Sequence, residues 1–302
     1  MSTSTPLRIS VCIPTFKRPE MLGRCLQAVE KQRGTGFSYG VVVVDNDAGQ
    51  SARKLVEQRA EASSLEIRYL QEPVQNIALA RNKAVAASSG ELVAFIDDDE
   101  FPEPTWLQSL HDAILRFEVD GVLGPVLPFF EGTPPAWLDR SGLCTRESFP
   151  TGSRMADSRY MRTGNALLRR ELFSGDQQPF DPAWGLTGGE DAAFFARMLR
   201  RGSRFAWTNE ARVYEAVPPE RQRRGYYLRR AAIRGVTEAR TEPLLSLGTL
   251  KSLAAVALYS ALLPVLLLLG QHLFMRFLVR GCDHLAKLLA KIGIRLVAAR
   301  TF

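Results

Sequence analysis

Four consecutive acidic residues, Asp97 to Glu100, follow an apolar run that ends at Ile96. Like charges this close repel one another unless a cation neutralises them. Carboxylates at positions i and i+2 of an extended segment point the same way, so we expect Asp97 and Asp99 to converge on one site. Hard oxygen ligands favour Mg²⁺ or Mn²⁺, which bridge to substrate phosphates. The pattern therefore predicts a divalent-cation site, and a solvated acidic turn is the alternative.

The elements that must position these acids alternate along the N-terminal part of the chain. Strand-like runs at 9–14, 39–44, 65–70 and 92–96 alternate with helix-like runs at 19–32, 51–62 and 76–87. This rhythm predicts an α/β fold with a mostly parallel, doubly wound sheet. Polar clusters follow the carboxyl ends of the strands, where such sheets bind ligands. Further along, we expect strands at 121–130 and 160–169 and a helix at 191–201.

Composition limits the classes of partner. The chain has 302 residues and a formal net charge of +7, which suits nucleotide phosphates or anionic lipid headgroups. Nothing accompanies the basic residues that resembles a nucleic-acid-binding module, so we expect no nucleic acid partner. The four cysteines are dispersed without CxxC spacing, which argues against a zinc site and favours a reducing cytosol. The N-terminus lacks the pattern of a signal peptide.

An apolar segment without charge, 252–269, lies near the C-terminus and contains Pro264. It is flanked by basic residues on both sides: Arg229, Arg230, Arg234, Arg240 and Lys251 before it, and Arg280, Lys287, Lys291 and Arg295 after it. A single crossing would place one basic flank outside, against the positive-inside tendency. We therefore expect a kinked or re-entrant element at the cytoplasmic face of the inner (plasma) membrane, peripheral or C-terminally anchored. The alternative is a buried core helix.

Six sequence motifs together resemble family 2 glycosyltransferases. They are IPTFKRPEML, VVVVDND, ALARNKAV, FIDDDEFPEPTWL, TGNALLRR and GGEDAAFFARMLRRG, and they cover residues 7–215 in the order of the family. The resemblance implies a GT-A fold, with a nucleotide-binding half at 1–120, an acceptor half at 121–215 and a membrane-associating tail at 216–302. It also implies inverting transfer of a sugar from a nucleotide diphosphate donor to a glycan or lipid-linked acceptor. The arginine-rich segment and apolar tail are similar to members that build bacterial exopolysaccharide.

The same resemblance assigns roles to individual residues. Asp191 would be the general base, Asp97 and Asp99 would bind Mg²⁺ or Mn²⁺, and Glu100, Glu190 and Glu215 would be accessory groups. Donor contacts fall to Pro14, Thr15, Arg18, Asp45, Arg81, Asp97, Asp98 and Asn165. Structural alternatives stay open for three of these residues: a turn for Asp45, a surface charge for Arg81 and a helix cap for Asp191.

Two departures from the family pattern refine these expectations. The segment 221–227 lacks the tryptophan of an acceptor-binding motif, which favours addition of one sugar per encounter. Glu215 stands where many relatives have a metal-binding histidine. The arginines near 221–234 either bind a pyrophosphate-linked lipid or anionic headgroups, or form a solvated helix face. Competing functions are a nucleotidyltransferase, which the glycine-free loop at 14–18 disfavours, and a non-catalytic membrane assembly factor.

Overall fold

The computed structural model describes residues 7–185, 188–294 and 296, without the side chains of residues 240 and 241. The chain forms two compact units. The first contains residues up to 127 together with 146–215, and the second contains 128–145 and the residues from 216 onward. Residues 128–145 are thus in the same compact unit as the tail, and the acceptor half at 121–215 stays a prediction.

Strands and helices alternate through the first unit, and helices dominate the second. The strands are β1 (Leu7–Thr15), β2 (Phe37–Asp45), β3 (Ile67–Gln71), β4 (Leu92–Ile96), β5 (Glu100–Pro102), β6 (Gly121–Leu123), β7 (Val126–Phe129), β8 (Asn165–Arg169), β9 (Phe205–Trp207) and β10 (Val213–Ala216). The helices are α1 (Pro19–Glu30), α2 (Arg53–Ala62), α3 (Ile77–Ala87), α4 (Trp106–Arg116), α5 (Ala136–Ser141), α6 (Glu190–Arg200), α7 (Arg224–Thr241), α8 (Leu247–Leu269) and α9 (Gln271–Lys291). Short 3-10 helices lie at Ser158–Tyr160, Arg170–Phe173, Pro182–Trp184 and Pro219–Gln222.

The main sheet has the strand order β3-β2-β1-β4-β8-β6-β9. Strands β1 to β4 are parallel where they pair, and β8 runs antiparallel to both β4 and β6. Every residue of β4 is buried, as expected for a strand covered on both faces. The predicted mostly parallel α/β sheet is confirmed, and the carboxyl ends of β1, β2 and β4 meet at one edge.

Two predicted strands have different bounds in the structure. The run at 121–130 is divided into β6 in the main sheet and β7 in a small sheet of order β5-β10-β7. Pro125, between them, lacks the N–H that a strand interior needs, and a side chain at Gly124 would lie 2.5 Å from the Ala211 carbonyl oxygen. The run at 160–169 is a strand only from Asn165, because Ser158–Tyr160 forms a 3-10 helix.

In the second unit, α5, α7 and α9 pack around a small apolar cluster that includes Leu138, Tyr227 and Met275. Helices α8 and α9 form an antiparallel hairpin that turns at Gly270, where φ is 138°. Ser252 Oγ lies 3.1 Å from His284 Nδ1 across this hairpin. Within the described residues, α8 is the one helix long and apolar enough to cross a membrane, and 11% of its apolar window is buried. This exposure contradicts the alternative of a buried core helix.

Candidate active site

The acidic segment lies in a turn between β4 and β5. The Glu100 N–H donates to the Asp97 carbonyl oxygen at 3.1 Å, which closes the turn. The segment is not extended, so the prediction that i and i+2 spacing points the Asp97 and Asp99 side chains the same way is wrong. Instead, Arg18 Nη1 lies 3.2 Å from Asp98 Oδ1 and 3.3 Å from Asp99 Oδ2, whereas Asp97 contacts a different arginine.

The end of β1 supports this turn from the neighbouring strand. Thr15 Oγ1 donates a 2.7 Å hydrogen bond to Asp98 Oδ2. Burial raises the pKa of Asp98 to about 6, against the opposing effect of the Arg18 charge. Pro14 and Thr15 are both buried. The hydroxyl of Thr15 therefore supports Asp98 in this structure, and the side chain of Arg18 is the exposed member of the predicted donor loop.

Arg81 links the acidic turn to the helix that carries the second acid pair. Its guanidinium contacts Glu190 Oε1 in a buried ion pair and lies 3.0 Å from Asp97 Oδ1. Burial alone would lower the pKa of Arg81, but the charges of Glu190 and Asp97 raise it. The side chain of Arg81 is 6% exposed. A surface-charge role is thereby ruled out, and the guanidinium holds the two acidic segments in fixed relation.

Asp191 lies in the first turn of α6. Its Oδ1 accepts a 2.7 Å hydrogen bond from the Ala192 N–H, and Arg162 Nε lies 3.8 Å from its Oδ2. The side chain is 13% exposed, so one oxygen is positioned by the helix while the group keeps access to solvent. Gly188 and Gly189 precede the helix at φ values of 82° and 102°, which favour glycine.

A second group of charged side chains, formed by Glu100, Glu215 and Arg146, lies next to the acidic turn. Glu100 is buried, and Glu215 pairs with it in register across β5 and β10. Arg146 contacts Glu215 and lies 3.7 Å from Glu100 Oε1. Neither Arg146 nor Arg162 was singled out from the sequence. Arg162 directly precedes the TGN motif, so proximity to that motif could have found it, whereas Arg146 lies in a loop without a recognisable pattern.

The Asp45 side chain stabilises the turn that follows β2. Asp45 is fully buried at the end of β2. Its carboxylate accepts hydrogen bonds from the Asp47 N–H at 3.1 Å, the Ala52 N–H at 2.8 Å and the Tyr69 hydroxyl at 3.2 Å. Burial raises its pKa, and these hydrogen bonds oppose that shift. These hydrogen bonds fit the turn alternative, and the donor contact of Asp45 stays a prediction.

Asn165 is likewise used within the protein. Its Oδ1 accepts a 2.8 Å hydrogen bond from Trp106 Nε1, and its Nδ2 donates to the carbonyl oxygens of Pro125 and Ala211 at 2.9 and 2.7 Å. Both residues of the Asn165–Trp106 pair are buried. This amide joins β8 to α4 and to the backbone at Pro125 and Ala211, and the donor contact of Asn165 stays a prediction.

Asn165→Ala is expected to lower the free energy of unfolding by about 2–4 kcal/mol, because a buried indole N–H and two carbonyls lose their partner. Nucleoside diphosphate affinity of the folded protein should stay within twofold. Urea unfolding and nucleotide titration measure both. Asn209→Ala is the matched control, since Asn209 accepts from Trp207 Nε1 at 3.0 Å at a more exposed position. A stable Asn165→Ala protein with weakened donor binding would instead support the predicted donor contact.

The carboxylates of the turn fit a cation that is shared with a substrate. Among the described residues, no three His, Cys, Asp or Glu side chains form a complete protein-only metal site. Mg²⁺ is commonly bound by one or two carboxylates together with substrate phosphates. Asp97, 35% exposed, and Asp99 are the two carboxylates that the sequence predicts for this role. Within the described part, the buried Glu100 Oε1 and Glu190 Oε2 also make no hydrogen bond, so the site keeps unused acceptors.

A mostly parallel sheet with acids and arginines at its carboxyl edge, an antiparallel β8 and an acid-bearing helix together match the GT-A fold that the sequence predicts. The sequence matches the protein family described as Glycosyl transferase family 2 over residues 10–175. The chain belongs to this family, as the resemblance predicted, and is a glycosyltransferase.

Individual relatives agree with this assignment. The succinoglycan biosynthesis protein ExoM of Rhizobium meliloti is 34% identical over 234 residues, which are 78% of this chain and 75% of that protein. Hyaluronan synthase of Pasteurella multocida is 23% identical over 71% of this chain and 25% of its own length. The structure of Staphylococcus aureus TarS 1-349 in complex with UDP has a TM-score of 0.56 at 18% identity and covers 95% of this chain and 91% of that chain. This structural likeness confirms the fold.

Proposed function

We propose that this glycosyltransferase is metal-dependent and inverting, with the acidic turn binding the donor diphosphate and Asp191 activating the acceptor. The single observation that carries the proposal is the chain of contacts from Asp97 through Arg81 to Glu190. It holds the donor-binding turn and the N-terminus of α6 in fixed relation, as direct transfer between two bound substrates requires. Asp191 follows Glu190 directly in that helix.

Asp97 and Asp99 are the residues that would hold Mg²⁺ or Mn²⁺. When bound, such an ion would neutralise charge on the leaving diphosphate. Arg18 contacts Asp99 and is partly exposed, so it is placed to exchange its carboxylate partner for a phosphate oxygen when the donor binds. Thr15 and Arg81 keep the backbone of the turn in place during that exchange.

Asp191 acts as the general base. Its carboxylate removes the proton from the acceptor hydroxyl as the hydroxyl oxygen forms a bond to the anomeric carbon. The bond from that carbon to the diphosphate oxygen breaks, and the electron pair leaves with the nucleoside diphosphate. The attack comes from the face opposite the leaving group, so the anomeric configuration inverts without a covalent enzyme intermediate.

Names of the relatives suggest the substrates. ExoM is a succinoglycan biosynthesis protein, the hyaluronan synthase is named for its polysaccharide, and TarS structures contain UDP or UDP-GlcNAc. We therefore propose a UDP-sugar donor and a glycan or lipid-linked acceptor in cell-surface polysaccharide synthesis. The positive charge near the tail suits an acceptor that carries phosphate groups.

Donor hydrolysis tests the proposal directly. Purified protein incubated with UDP-, GDP- and dTDP-sugars should release nucleoside diphosphate from one class of donor. EDTA should abolish the release, and Mn²⁺ or Mg²⁺ in excess should restore it. The released sugar from an α-linked donor should first appear as the β anomer by NMR. Release that is unaffected by EDTA would contradict metal dependence, and retention of configuration would contradict the assigned mechanism.

The tail is proposed to associate with a membrane through the hairpin of α8 and α9. Because the helices are antiparallel, Lys251 lies at the open end of the hairpin, away from the turn at Gly270. Lys287 and Lys291 lie at the same end but are paired with Glu238 and Glu242. Several leucines of α8 are more than half exposed: Leu250, Leu253, Leu258, Leu268 and Leu269. These exposed apolar side chains suit insertion of the closed end into one leaflet from the side that holds the nucleotide sugar, the cytoplasmic face.

Leu268→Glu with Leu269→Glu is expected to reduce binding to anionic phospholipid vesicles at least 10-fold, because two carboxylates would enter the apolar layer. Flotation with phosphatidylglycerol vesicles measures the bound fraction. The matched control is Leu245→Glu, since Leu245 is 93% exposed but lies before α8, at the open end. Equal loss of binding in both variants would contradict insertion by the closed end.

A further inference from the structure

Glu100 occupies an unusual position for an acidic side chain. Its carboxylate is fully buried behind the acidic turn, and its Oε2 accepts a 3.0 Å hydrogen bond from the Asp97 backbone N–H. The Glu100 N–H in turn donates to the Asp97 carbonyl oxygen at 3.1 Å. Two hydrogen bonds therefore connect the same pair of residues, so the conformation of the turn depends on where the Glu100 carboxylate lies.

Arg146 compensates part of the cost of this burial. Arg146 Nη1 lies 3.7 Å from Glu100 Oε1, and the same guanidinium contacts Glu215. Glu215 lies directly opposite Glu100 where β5 and β10 pair. A buried carboxylate that is only loosely paired is costly for stability. The hydrogen bond that this carboxylate makes is to the backbone of the acidic turn, so its position and that of the turn are linked.

Gly164 provides the space for the carboxylate. A Cβ atom at Gly164 would lie 2.7 Å from Glu100 Oε1 and 3.0 Å from Oε2, closer than atoms pack. The backbone φ of Gly164 is not among the positive values, and the three atoms nearest to the added Cβ all belong to the Glu100 carboxyl group. The absence of a side chain at this position of the TGN motif thus leaves room for the Glu100 carboxylate.

We propose that Glu100 is a positioning residue that fixes the Asp97 backbone, with Arg146 holding its carboxylate and Gly164 leaving room for it, and thereby sets the affinity of the turn for a divalent cation and diphosphate. The inference rests on the proposed metal-dependent function. Groups that orient metal ligands typically change metal affinity 10- to 100-fold when they are removed.

Mn²⁺ affinity in the presence of UDP, measured by electron paramagnetic resonance on the full chain, tests the role without an activity assay. Glu100→Ala should weaken Mn²⁺ binding about 10- to 100-fold. Glu100→Gln keeps an oxygen that can accept from the Asp97 N–H and should recover most of the affinity. Gly164→Ala should weaken binding about 10-fold in the wild-type background and have no further effect when combined with Glu100→Ala, where the space is free.

Gly132→Ala is the matched control, because nothing lies within 4 Å of a Cβ atom at that glycine, and it should bind as wild type does. Glu100→Ala within twofold of wild type would overturn the inference, as would an equal effect of Gly164→Ala with and without Glu100. If Glu100→Ala does not fold, Glu100→Gln and Gly164→Ala still test the inference. Mn²⁺ affinity of Gly164→Ala within twofold of wild type would also contradict it. Wild-type protein without Mn²⁺–UDP binding would instead contradict the proposed function itself.

Discussion

Asp191→Asn is expected to reduce glycosyl transfer by about 10²- to 10⁴-fold while leaving nucleotide-sugar binding within twofold of wild type. The asparagine oxygen can still accept from the Ala192 N–H, so α6 should begin as it does in wild type. The amide cannot take a proton from the acceptor hydroxyl, and removal of a general base typically costs this much. Initial rates at saturating donor and acceptor, together with donor titration, separate the two quantities.

Asp157→Asn is a suitable control for this experiment. Asp157 accepts a 3.0 Å hydrogen bond from the Arg159 N–H at the start of a short helix in the same unit, so the change removes a similar charge without touching the site. It should transfer as wild type does. A loss of donor binding in Asp191→Asn that matches the loss of rate would argue for a donor contact rather than a base.

Arg81→Met is expected to lower the free energy of unfolding by about 3–5 kcal/mol, because it leaves the buried Glu190 without its partner. Both side chains of this pair are 6% exposed. Arg159→Met is the control, since Arg159 is 80% exposed in its pair with Asp157 and should cost less than about 1 kcal/mol. Urea unfolding of both variants measures the difference. Similar values for the two arginines would contradict the bridging role of Arg81.

If the unpaired Glu190 causes the loss of stability in Arg81→Met, the free energy of unfolding of this variant should depend on pH. Burial raises the pKa of Glu190, and the charge of Arg81 opposes that shift in wild type. Without Arg81, the folded state binds a proton more tightly than the unfolded state, so stability falls as pH rises above the ordinary glutamate pKa. The deficit should therefore be larger at pH 8 than at pH 5. Adding Glu190→Gln should remove this pH dependence, and its persistence would point to another group.

Much of the fold could be predicted because its signals are local. The apolar run of β4 was found with its observed bounds, Leu92–Ile96, because an uninterrupted apolar segment followed by acids is visible in a short window. The same rule failed at 121–130, where apolar residues continue through Pro125 while the chain changes sheets. A strand joins one sheet or another because of contacts with residues distant in sequence, and these contacts cannot be derived from a local pattern.

In the candidate site, too, the local motifs could be predicted from the sequence and the long-range contacts could not. Motif order indicated the acids of the turn and of α6, but their partners could not be derived. Arg18 pairs with Asp98 across 80 positions, and Arg81 with Glu190 across 109. Asp45 and Asn165 look like binding residues in sequence because they end or begin strands at the ligand edge. Their internal hydrogen bonds become visible only once α4, Tyr69 and the turn after β6 are placed.

The central claim is that Asp99 binds the cation that holds the donor diphosphate, whereas Asp191 takes no part in donor binding. Calorimetric titration of UDP into wild-type, Asp99→Ala and Asp191→Ala proteins, each with Mn²⁺ and with EDTA, tests it most directly. We expect Mn²⁺-dependent binding in wild type and Asp191→Ala, and loss of that binding in Asp99→Ala. Equal binding by Asp99→Ala and wild type, or binding indifferent to Mn²⁺, would contradict the account.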